Sequence, residues 1–289
     1  IHLPGNSTRY ILTERVILEY AEDVFSMYTV SDKTILSVTR NADINPDDEN
    51  FEVDDDYRRH MKRVLKKRAR LACVRLELAG ECSAELRDFF MRRLSLKKEQ
   101  VFKSSTPLNM SYVYALSDKF TPAAKRQLSY LPFSPCPSRM VNRSESMIKQ
   151  VLRQDLFLSY PYESMEPFLQ LVREAAHDPA VISIKITIYR LASKSRLVEY
   201  LSAAAENGKD VLVLMELRAR FDEENNINWS ENLEDAGCKV IYGLEDFKVH
   251  SKICLITRRD RGKIQYITQI GTGNYNEKTA KLYTDFCLM

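Results

Sequence analysis

The 289-residue sequence lacks several features that would place it in a special class. It has no apolar run approaching the ~18 residues that predict a membrane-spanning helix, and no signal-peptide pattern opens it. Its excess charge is small, because 43 basic against 40 acidic residues give a net charge of +3. A nucleic-acid-binding surface normally makes a domain strongly basic. We find no internal repeat and no low-complexity tract. These absences favour an ordinary globular protein that does not bind nucleic acid.

The six cysteines are scattered, and none belongs to a CxxC pair. In a chain of this length such spacing is typical of reduced thiols inside a cell, so we predict free thiols and a cytoplasmic location. The sequence opens at Ile1 without Met and closes on the apolar run Phe286–Met289. This favours a fragment, inactive by itself, with part of any active site outside it.

A proline-rich stretch, Tyr130–Pro137, interrupts the sequence. Proline lacks a backbone donor and fixes φ, so regular structure is expected to stop there. We therefore predict a smaller α+β head domain over residues 1–136 and a second domain over 137–289. Acidic residues in the head domain, Asp47–Glu49 and Asp54–Asp56, are interpreted as a solvated loop and a helix start.

The second domain alternates predicted strands with predicted helices. The strands begin near Leu156, Val181, Val211, Val240 and His250, and the last is followed by a hairpin over Arg258–Gly262 into a further strand. Gly208 and Gly237 follow helical patterns, as C-terminal caps do. Alternation of this kind implies right-handed crossovers. The predicted fold class is α/β, with a mixed, mostly parallel sheet flanked by helices.

Arginines stand at the predicted ends of two strands. Arg190 ends the strand that begins at Val181, and Arg218 and Arg220 end its neighbour. Ligands of such sheets bind at the carboxyl ends of strands, and guanidinium groups bind phosphate oxygens through paired N–H donors. We predict a phosphate site here. The alternative is that each arginine caps a helix or pairs with a surface acid.

A histidine and a lysine open the strand that begins at His250. Residues i and i+2 share one face of a strand, so His250 and Lys252 are predicted to enter one pocket as nucleophile and charge-stabilising cation. The alternative is that the spacing of His250 and Lys252 is a chance pattern on the protein surface. A similar triplet, His60-Met61-Lys62, lies in a predicted helix and is interpreted as a solvated face. His2 and His177 have no companion group.

A glycine turn, Gly271-Thr272-Gly273-Asn274, follows the next predicted strand. Glycines let backbone N–H groups approach an anion closely, so Gly271, Gly273 and Asn274 are candidate phosphate-binding residues, although such turns are common. The acids Asp222–Glu224 are interpreted as the first turn of a helix, with water-mediated magnesium binding as the alternative.

These motifs together resemble the bacterial polyphosphate kinases of the histidine-phosphorylating type. The segments that carry the resemblance over the second domain are Ser183–Arg190, Ala204–Lys209, Glu216–Glu224, Lys248–Lys252 and Gly271–Asp285. Thr39–Asp43 and Cys73–Leu78 are similar to the head domain of that family. The resemblance implies a head domain followed by the first of two catalytic domains with a phospholipase-D-like fold, truncated at its carboxyl end.

The resemblance also implies a reaction: reversible transfer of the terminal phosphate of ATP to inorganic polyphosphate, with magnesium. His250 matches the histidine that becomes phosphorylated, and Lys252 its companion. Arg190 and Arg220 match positions of the magnesium–nucleotide site, where a guanidinium would hold phosphate oxygens beside the metal. Tyr283 matches a tyrosine that contacts the nucleotide. The implied partners are ATP, ADP and polyphosphate, in a dimeric or tetrameric homo-oligomer, with peripheral membrane attachment left open.

One position departs from the wider phospholipase-D pattern, which places Asp five residues after the lysine. Thr257 stands there, which weighs against a plain phosphodiesterase. Three alternatives remain: a phosphodiesterase of the phospholipase-D class, a non-catalytic polyphosphate-binding module, and a purely structural interaction domain. The last fits residues 1–136 far better than 137–289. The oligomeric state, the direction of reaction, the product length and the magnesium ligands are not fixed by the sequence.

Overall fold

The computed structural model of the chain describes residues 1, 3–4, 9–41, 57–68, 70–131, 133–219, 222–243 and 247–289. The sequence predictions for Asp47–Glu49, Asp54–Asp56, His2 and Arg220 lie outside these residues. The chain divides into two compact units. The first takes in Ile1–Asn50 and Arg63–Pro132, and the second Phe51–Lys62 and Phe133–Met289.

Helices and strands alternate along most of the described chain. The α-helices are α1 Thr13–Glu19, α2 Ala21–Val24, α3 Tyr57–Arg68, α4 Ala84–Leu94, α5 Tyr112–Leu116, α6 Pro122–Leu128, α7 Met147–Val151, α8 Glu166–His177, α9 Arg196–Glu206 and α10 Glu223–Asp235. The strands are β1 Ile35–Arg40, β2 Cys73–Ala79, β3 Val101–Ser104, β4 Phe157–Tyr160, β5 Val181–Ile188, β6 Asp210–Met215, β7 Lys239–Tyr242, β8 Lys252–Asp260, β9 Lys263–Gly271 and β10 Asp285–Leu288. Short 3₁₀ turns occur at Lys98–Gln100, Ser117–Lys119 and Thr279–Lys281.

The first unit is built on a small sheet in the order β1-β2-β3, with β1 antiparallel and β3 parallel to β2. Its core gathers around the buried side chains of Leu76, Leu78 and Leu96. The helix α4 begins where Ser83 accepts a hydrogen bond from the amide of Leu86 at 3.1 Å, as a serine cap does. The predicted α+β character of this unit is confirmed.

The described strands of the second unit form a seven-stranded sheet in the order β4-β10-β9-β8-β5-β6-β7. The predicted α/β class and the mixed sheet are confirmed, but the prediction that the sheet is mostly parallel is wrong. Only β6 runs parallel to both of its neighbours, β5 and β7, while the other four pairings are antiparallel. The predicted hairpin at Arg261 and Gly262, both with positive φ, makes β9 antiparallel to β8. The unpredicted difference is that β8 returns antiparallel beside β5, a pairing that alternation of strands and helices does not reveal.

The helices α8, α9 and α10 pack beside strands β5, β6 and β7. Along β5 the side chains of Ile184, Ile186 and Ile188 are buried, whereas Lys185, which points to the other face, is exposed. This alternation shows that the described helices cover one face of the sheet. Crossovers of strand, helix and parallel strand place the carboxyl ends of β5 and β6 side by side.

One histidine prediction from the sequence is wrong. The triplet that begins at His60 was expected on a solvated helix face, but His60 and Met61 are buried, at 3% and 2% exposure. The first turns of α3 are tied to α10: Arg58 pairs with Glu234 at 2.6 Å, and Lys62 pairs with Glu231 at 2.5 Å. The part of α3 up to Lys62 belongs to the second unit, and its ion pairs with α10 are not evident from the basic composition of the helix.

All six cysteines carry free thiols, as predicted. Burial raises the pKa of the Cys238 thiol to about 11 and that of the Cys254 thiol to about 12, so these groups stay protonated near neutral pH. No helix in the part of the chain that is described has the length and apolar character needed to cross a bilayer.

Candidate active site

The candidate site lies where β5 and β6 end and β8 begins. Tyr189 and Arg190 follow β5, and Glu216 follows β6. The buried amide of Asn226, on α10, donates to the carbonyl of Tyr189 at 2.8 Å and to the carbonyl of Glu216 at 2.9 Å. This side chain therefore ties the two strand ends together.

His250 lies just ahead of β8 instead of within it, so the predicted strand start is two residues too early. The cause is a side chain. The hydroxyl of Thr187 donates to the carbonyl of Ser251 at 2.8 Å and accepts from the amide of Ile253 at 3.1 Å. These bonds take the place of backbone pairing to β5, and regular strand structure starts only at Lys252.

The ring of Tyr189 brings three predicted site residues together. The imidazole of His250 meets it edge-on, with ring centroids 4.7 Å apart. The ammonium nitrogen of Lys252 lies 5.5 Å from the ring centroid, and the guanidinium carbon of Arg190 also lies at 5.5 Å. Both cations are within the range of a cation–π contact. The side chains of His250, Lys252 and Arg190 thus contact one aromatic ring.

The electrostatics of this group favour a neutral imidazole. Partial burial lowers the pKa of His250, and the positive charges of Lys252 and Arg190 lower it further. Lys252 is only 4% exposed, and its ammonium donates to the backbone carbonyl of His250. Burial lowers the pKa of Lys252 too, an effect opposed by the nearby carboxylate of Asp285.

The strand-end arginines have different surroundings. The Nε atom of Arg190 lies 2.9 Å from a carboxylate oxygen of Asp222, and the Arg190 side chain is 39% exposed. Arg218 donates to the carbonyl of Phe247 at 2.8 Å, so it also holds the segment that leads to His250. Its assignment to phosphate binding stays a prediction, and Arg220 lies outside the described residues.

The acids that follow Arg220 behave as a helix start. Asp222 is the N-terminal cap position of α10, and Glu223 and Glu224 form its first turn. Acidic side chains are stabilised there by the helix dipole. The preferred interpretation of these acids is therefore confirmed.

The glycine turn emerges beside the site. Gly271 is paired with Lys252 across β8 and β9. A Cβ atom on Gly273 would lie 2.6 Å from the carboxylate of Asp285, and Asp285 also accepts a hydrogen bond from the Thr272 hydroxyl at 2.8 Å. Position 273 therefore requires glycine, because its backbone passes too close to Asp285 for any Cβ atom. The role of this turn in phosphate binding stays a prediction.

The two remaining candidates differ in exposure. The Tyr283 side chain lies in the turn ahead of β10 and is 63% exposed. Asn274 is partly buried, and its side-chain oxygen has no hydrogen-bond partner among the described residues. The described contacts do not join either residue to His250, and both assignments stay predictions.

Sequence reasoning gave no role to four residues that build the site: Tyr189, Glu216, Asn226 and Asp285. The sequence held one signal for Glu216: it directly follows the apolar strand β6, where burial is expected. A buried acid needs hydrogen-bond or charge partners, and Glu216 is in fact 1% exposed. The contacts of the other three depend on tertiary structure. Among the described residues, no group of three His, Cys, Asp or Glu side chains is placed to hold a metal ion. The donors in the described part of the chain therefore do not form a protein-ligated magnesium site.

The fold and site define a class: an α/β protein with a histidine, a lysine and an arginine gathered at strand ends, as phosphate chemistry requires. The sequence profile for "Polyphosphate kinase middle domain" matches residues 1–116, and that for "Polyphosphate kinase C-terminal domain 1" matches residues 146–289. The chain belongs to the polyphosphate kinase family.

Individual relatives agree. A polyphosphate kinase of Bacillus cereus is 41% identical over 283 residues, which cover 98% of this chain and 40% of the relative. One of Pseudomonas aeruginosa is 35% identical over 285 residues, covering 99% and 40%. The crystal structure of a Porphyromonas gingivalis polyphosphate kinase matches with a TM-score of 0.70 and 29% identity, over 96% of this chain and 38% of that one. This chain therefore spans about 40% of the length of these relatives.

Proposed function

We propose that the full-length protein is a polyphosphate kinase, an ATP–polyphosphate phosphotransferase that works through a phosphohistidine at His250. One observation carries the proposal: the imidazole of His250 lies against the ring of Tyr189 together with the cations of Lys252 and Arg190. Membership of the polyphosphate kinase family supports ATP and polyphosphate as substrates.

In the first step a ring nitrogen of His250 attacks the γ-phosphorus of ATP. A nitrogen–phosphorus bond forms, and the bond from that phosphorus to the bridging oxygen breaks, so that ADP leaves with the electron pair. The attacking imidazole must be neutral. The lowered pKa of His250, caused by partial burial and by Lys252 and Arg190, keeps it neutral at physiological pH.

In the second step a terminal phosphate oxygen of polyphosphate attacks the phosphorus on His250. The nitrogen–phosphorus bond breaks, neutral His250 returns, and the polymer is one phosphate longer. The reverse sequence makes ATP from ADP. In both steps Lys252 and Arg190 stabilise the negative charge on the transferred group, since phosphoryl transfer depends mainly on positioning and charge.

We assign nucleotide and phosphate binding to residues around this group. The exposed ring of Tyr283 contacts the nucleotide, Arg190 and Arg220 hold phosphate oxygens beside magnesium, and Arg218 supports them. The turn of Gly271, Gly273 and Asn274 offers backbone amides to an anion. Magnesium bound with the nucleotide would neutralise phosphate charge, and Arg190, Arg218 and Arg220 would hold the phosphates that accompany it.

The proposed organisation follows the same reasoning. Residues 1–136 form a head domain and residues 137–289 the first catalytic domain, of phospholipase-D-like type. The boundary is supported by the proline-rich stretch over Tyr130–Pro137. We also propose a homo-oligomer in the cytoplasm, a location supported by six free thiols.

The test uses the full-length protein with ATP, magnesium and a polyphosphate primer. A polyphosphate kinase lengthens the primer with one ADP released per phosphate added, and makes ATP when given ADP and polymer. A phosphodiesterase instead hydrolyses a model phosphodiester without ATP. A binding module retains polyphosphate without turnover. Either of the last two results would overturn the proposal.

A further inference from the structure

The carboxylate of Glu216 is buried at the end of β6 and fully used by backbone donors. One oxygen accepts from the amide of Arg218 and the other from the amide of Val249, both at 2.8 Å. The backbone of Glu216 is fixed as well: its amide donates to the carbonyl of Ile188 at 2.9 Å, and its carbonyl accepts from Asn226. The residue before His250 is therefore tied directly to the sheet.

A second contact strengthens this attachment. The guanidinium of Arg218 donates to the carbonyl of Phe247 at 2.8 Å, and its Nε atom lies 3.6 Å from a Glu216 oxygen. Glu216 therefore binds Val249 directly and also orients Arg218, which binds Phe247 in the same segment. Both contacts start from the end of β6.

The residue after His250 is held from the opposite side. The carbonyl of Ser251 accepts from the Thr187 hydroxyl on β5 at 2.8 Å. His250 thus stands between two attached neighbours, Val249 and Ser251, although it lies outside any strand. This arrangement fixes the backbone from which the imidazole reaches the ring of Tyr189.

We propose that Glu216 is a positioning residue for His250: its carboxylate holds the backbone at Val249 so that the imidazole meets the incoming phosphorus in one place. The inference rests on the proposed function, in which His250 is the nucleophile. Reacting groups must be held to a fraction of an ångström, and a displacement of about 1 Å can cost about 10²-fold in rate.

The test variant is Glu216→Gln in the full-length protein. Glutamine has nearly the same size but only one side-chain oxygen, so it can accept from only one of the two amides, and its NH₂ group faces the other. We expect the single-turnover rate of phosphohistidine formation to fall about 10²-fold. The Kd for ATP should change far less than this rate, since Glu216 is buried and acts on the phosphate-binding residues through Arg218.

A matched control is Glu174→Gln. Glu174 also accepts from backbone amides, those of Met147 at 3.0 Å and Ile148 at 3.2 Å. It stands near the end of α8, which leads into the start of β5. This is the opposite end of the strand from the candidate site. This variant should lose stability but keep the wild-type rate per folded molecule.

A Glu216→Gln protein that is phosphorylated at the wild-type rate while the wild type is labelled would overturn the inference alone. A wild-type protein that forms no phosphohistidine would contradict the proposed function, and with it this inference. If Glu216→Gln does not fold, Glu216→Asp, which keeps both oxygens, takes its place. The shorter side chain should slow phosphorylation per folded molecule far more than it weakens ATP binding, and an unchanged rate would count against positioning.

Discussion

The imidazole of His250 meets the ring of Tyr189 at 79°, with the two ring centroids 4.7 Å apart. The same ring contacts the cations of Lys252 and Arg190, so Tyr189 is the common surface of the candidate site. It stands directly after β5, and its backbone carbonyl accepts a hydrogen bond from the amide of Asn226. Tyr189, which has no proposed chemical role of its own, thus contacts all three side chains of the proposed site.

Replacing the ring should disturb all three groups. Tyr189→Ala removes the surface against which His250 packs, and we expect phosphohistidine formation to slow by about 10²-fold because the nucleophile is no longer held in place. Tyr189→Phe is the matched control, since it keeps the ring and removes only the hydroxyl. Single-turnover labelling of the two full-length variants is the measurement. Equal rates in both would show that the ring does not position His250.

The pH dependence of phosphorylation should report the cations around His250. Burial, Lys252 and Arg190 lower its pKa, and only the neutral imidazole attacks, so the acid limb of the rate profile lies below the ordinary histidine pKa. The other charges nearby are Asp222, paired with Arg190, and Asp285, close to Lys252. Lys252→Met removes one cation, so the pKa of His250 rises and the acid limb moves to higher pH.

The same substitution should lower the rate at its optimum by about 10²- to 10³-fold, because one charge-stabilising group is lost. Lys239→Met is the control: this lysine pairs with Asp210 on the surface and is 73% exposed. Its pH profile should match the wild type. An acid limb of Lys252→Met that stays in place, or moves to lower pH, would contradict the electrostatic account.

The second glycine of the turn is predicted to be intolerant of a side chain. In Gly273→Ala the new Cβ would lie 2.6 Å from the Asp285 carboxylate, so Asp285 must move away. We expect the free energy of unfolding to fall by about 1 to 3 kcal/mol, as for overpacking in a core, and phosphorylation to slow as the charge facing Lys252 moves.

The control for that variant is Gly208→Ala at the end of α9. There a Cβ meets open space, but the φ of +79° is strained for alanine. Its stability should fall by about 1 to 2 kcal/mol with no change in rate per folded molecule. Chemical unfolding and single-turnover labelling together separate the two cases. A Gly273→Ala protein with wild-type rate would show that the position of Asp285 is unimportant.

The amide of Asn226 should matter for stability. It is completely buried and bonds two carbonyls, those of Tyr189 and Glu216. Asn226→Ala leaves both carbonyls buried without this donor, and we expect a loss of about 2 to 3 kcal/mol in the free energy of unfolding. Asn207→Ala is the matched control, because the amide of Asn207 also bonds a carbonyl, that of Ala176, but at an exposed position. Similar losses in the two variants would refute the proposed bridge.

Much of the local structure could be predicted from sequence patterns. The apolar run from Val181 became β5, and the glycines after α9 and α10, Gly208 and Gly237, have the positive φ expected of caps. Strand direction could not be predicted, because alternating elements do not show that β8 returns beside β5. That pairing is antiparallel and joins residues about 70 positions apart.

The site could be predicted only in part, because some of its contacts join residues that are far apart in the sequence. His250, Lys252 and Arg190 have side chains that suit phosphate chemistry, and the structure brings them to one ring. The role of Glu216 was hidden, because its partner Val249 lies 33 positions away. The position of Glu216 directly after the apolar strand β6 indicates burial, but no local pattern shows which backbone amides the carboxylate binds.

The most direct test of the account is labelling with γ-³²P-ATP and magnesium, using the full-length protein and its His250→Ala variant. The account predicts acid-labile, alkali-stable label on the wild type and none on the folded variant, which should make no polymer. Polymer made by a wild type that never carries label, or by His250→Ala at near-normal rate, would contradict a phosphohistidine at His250.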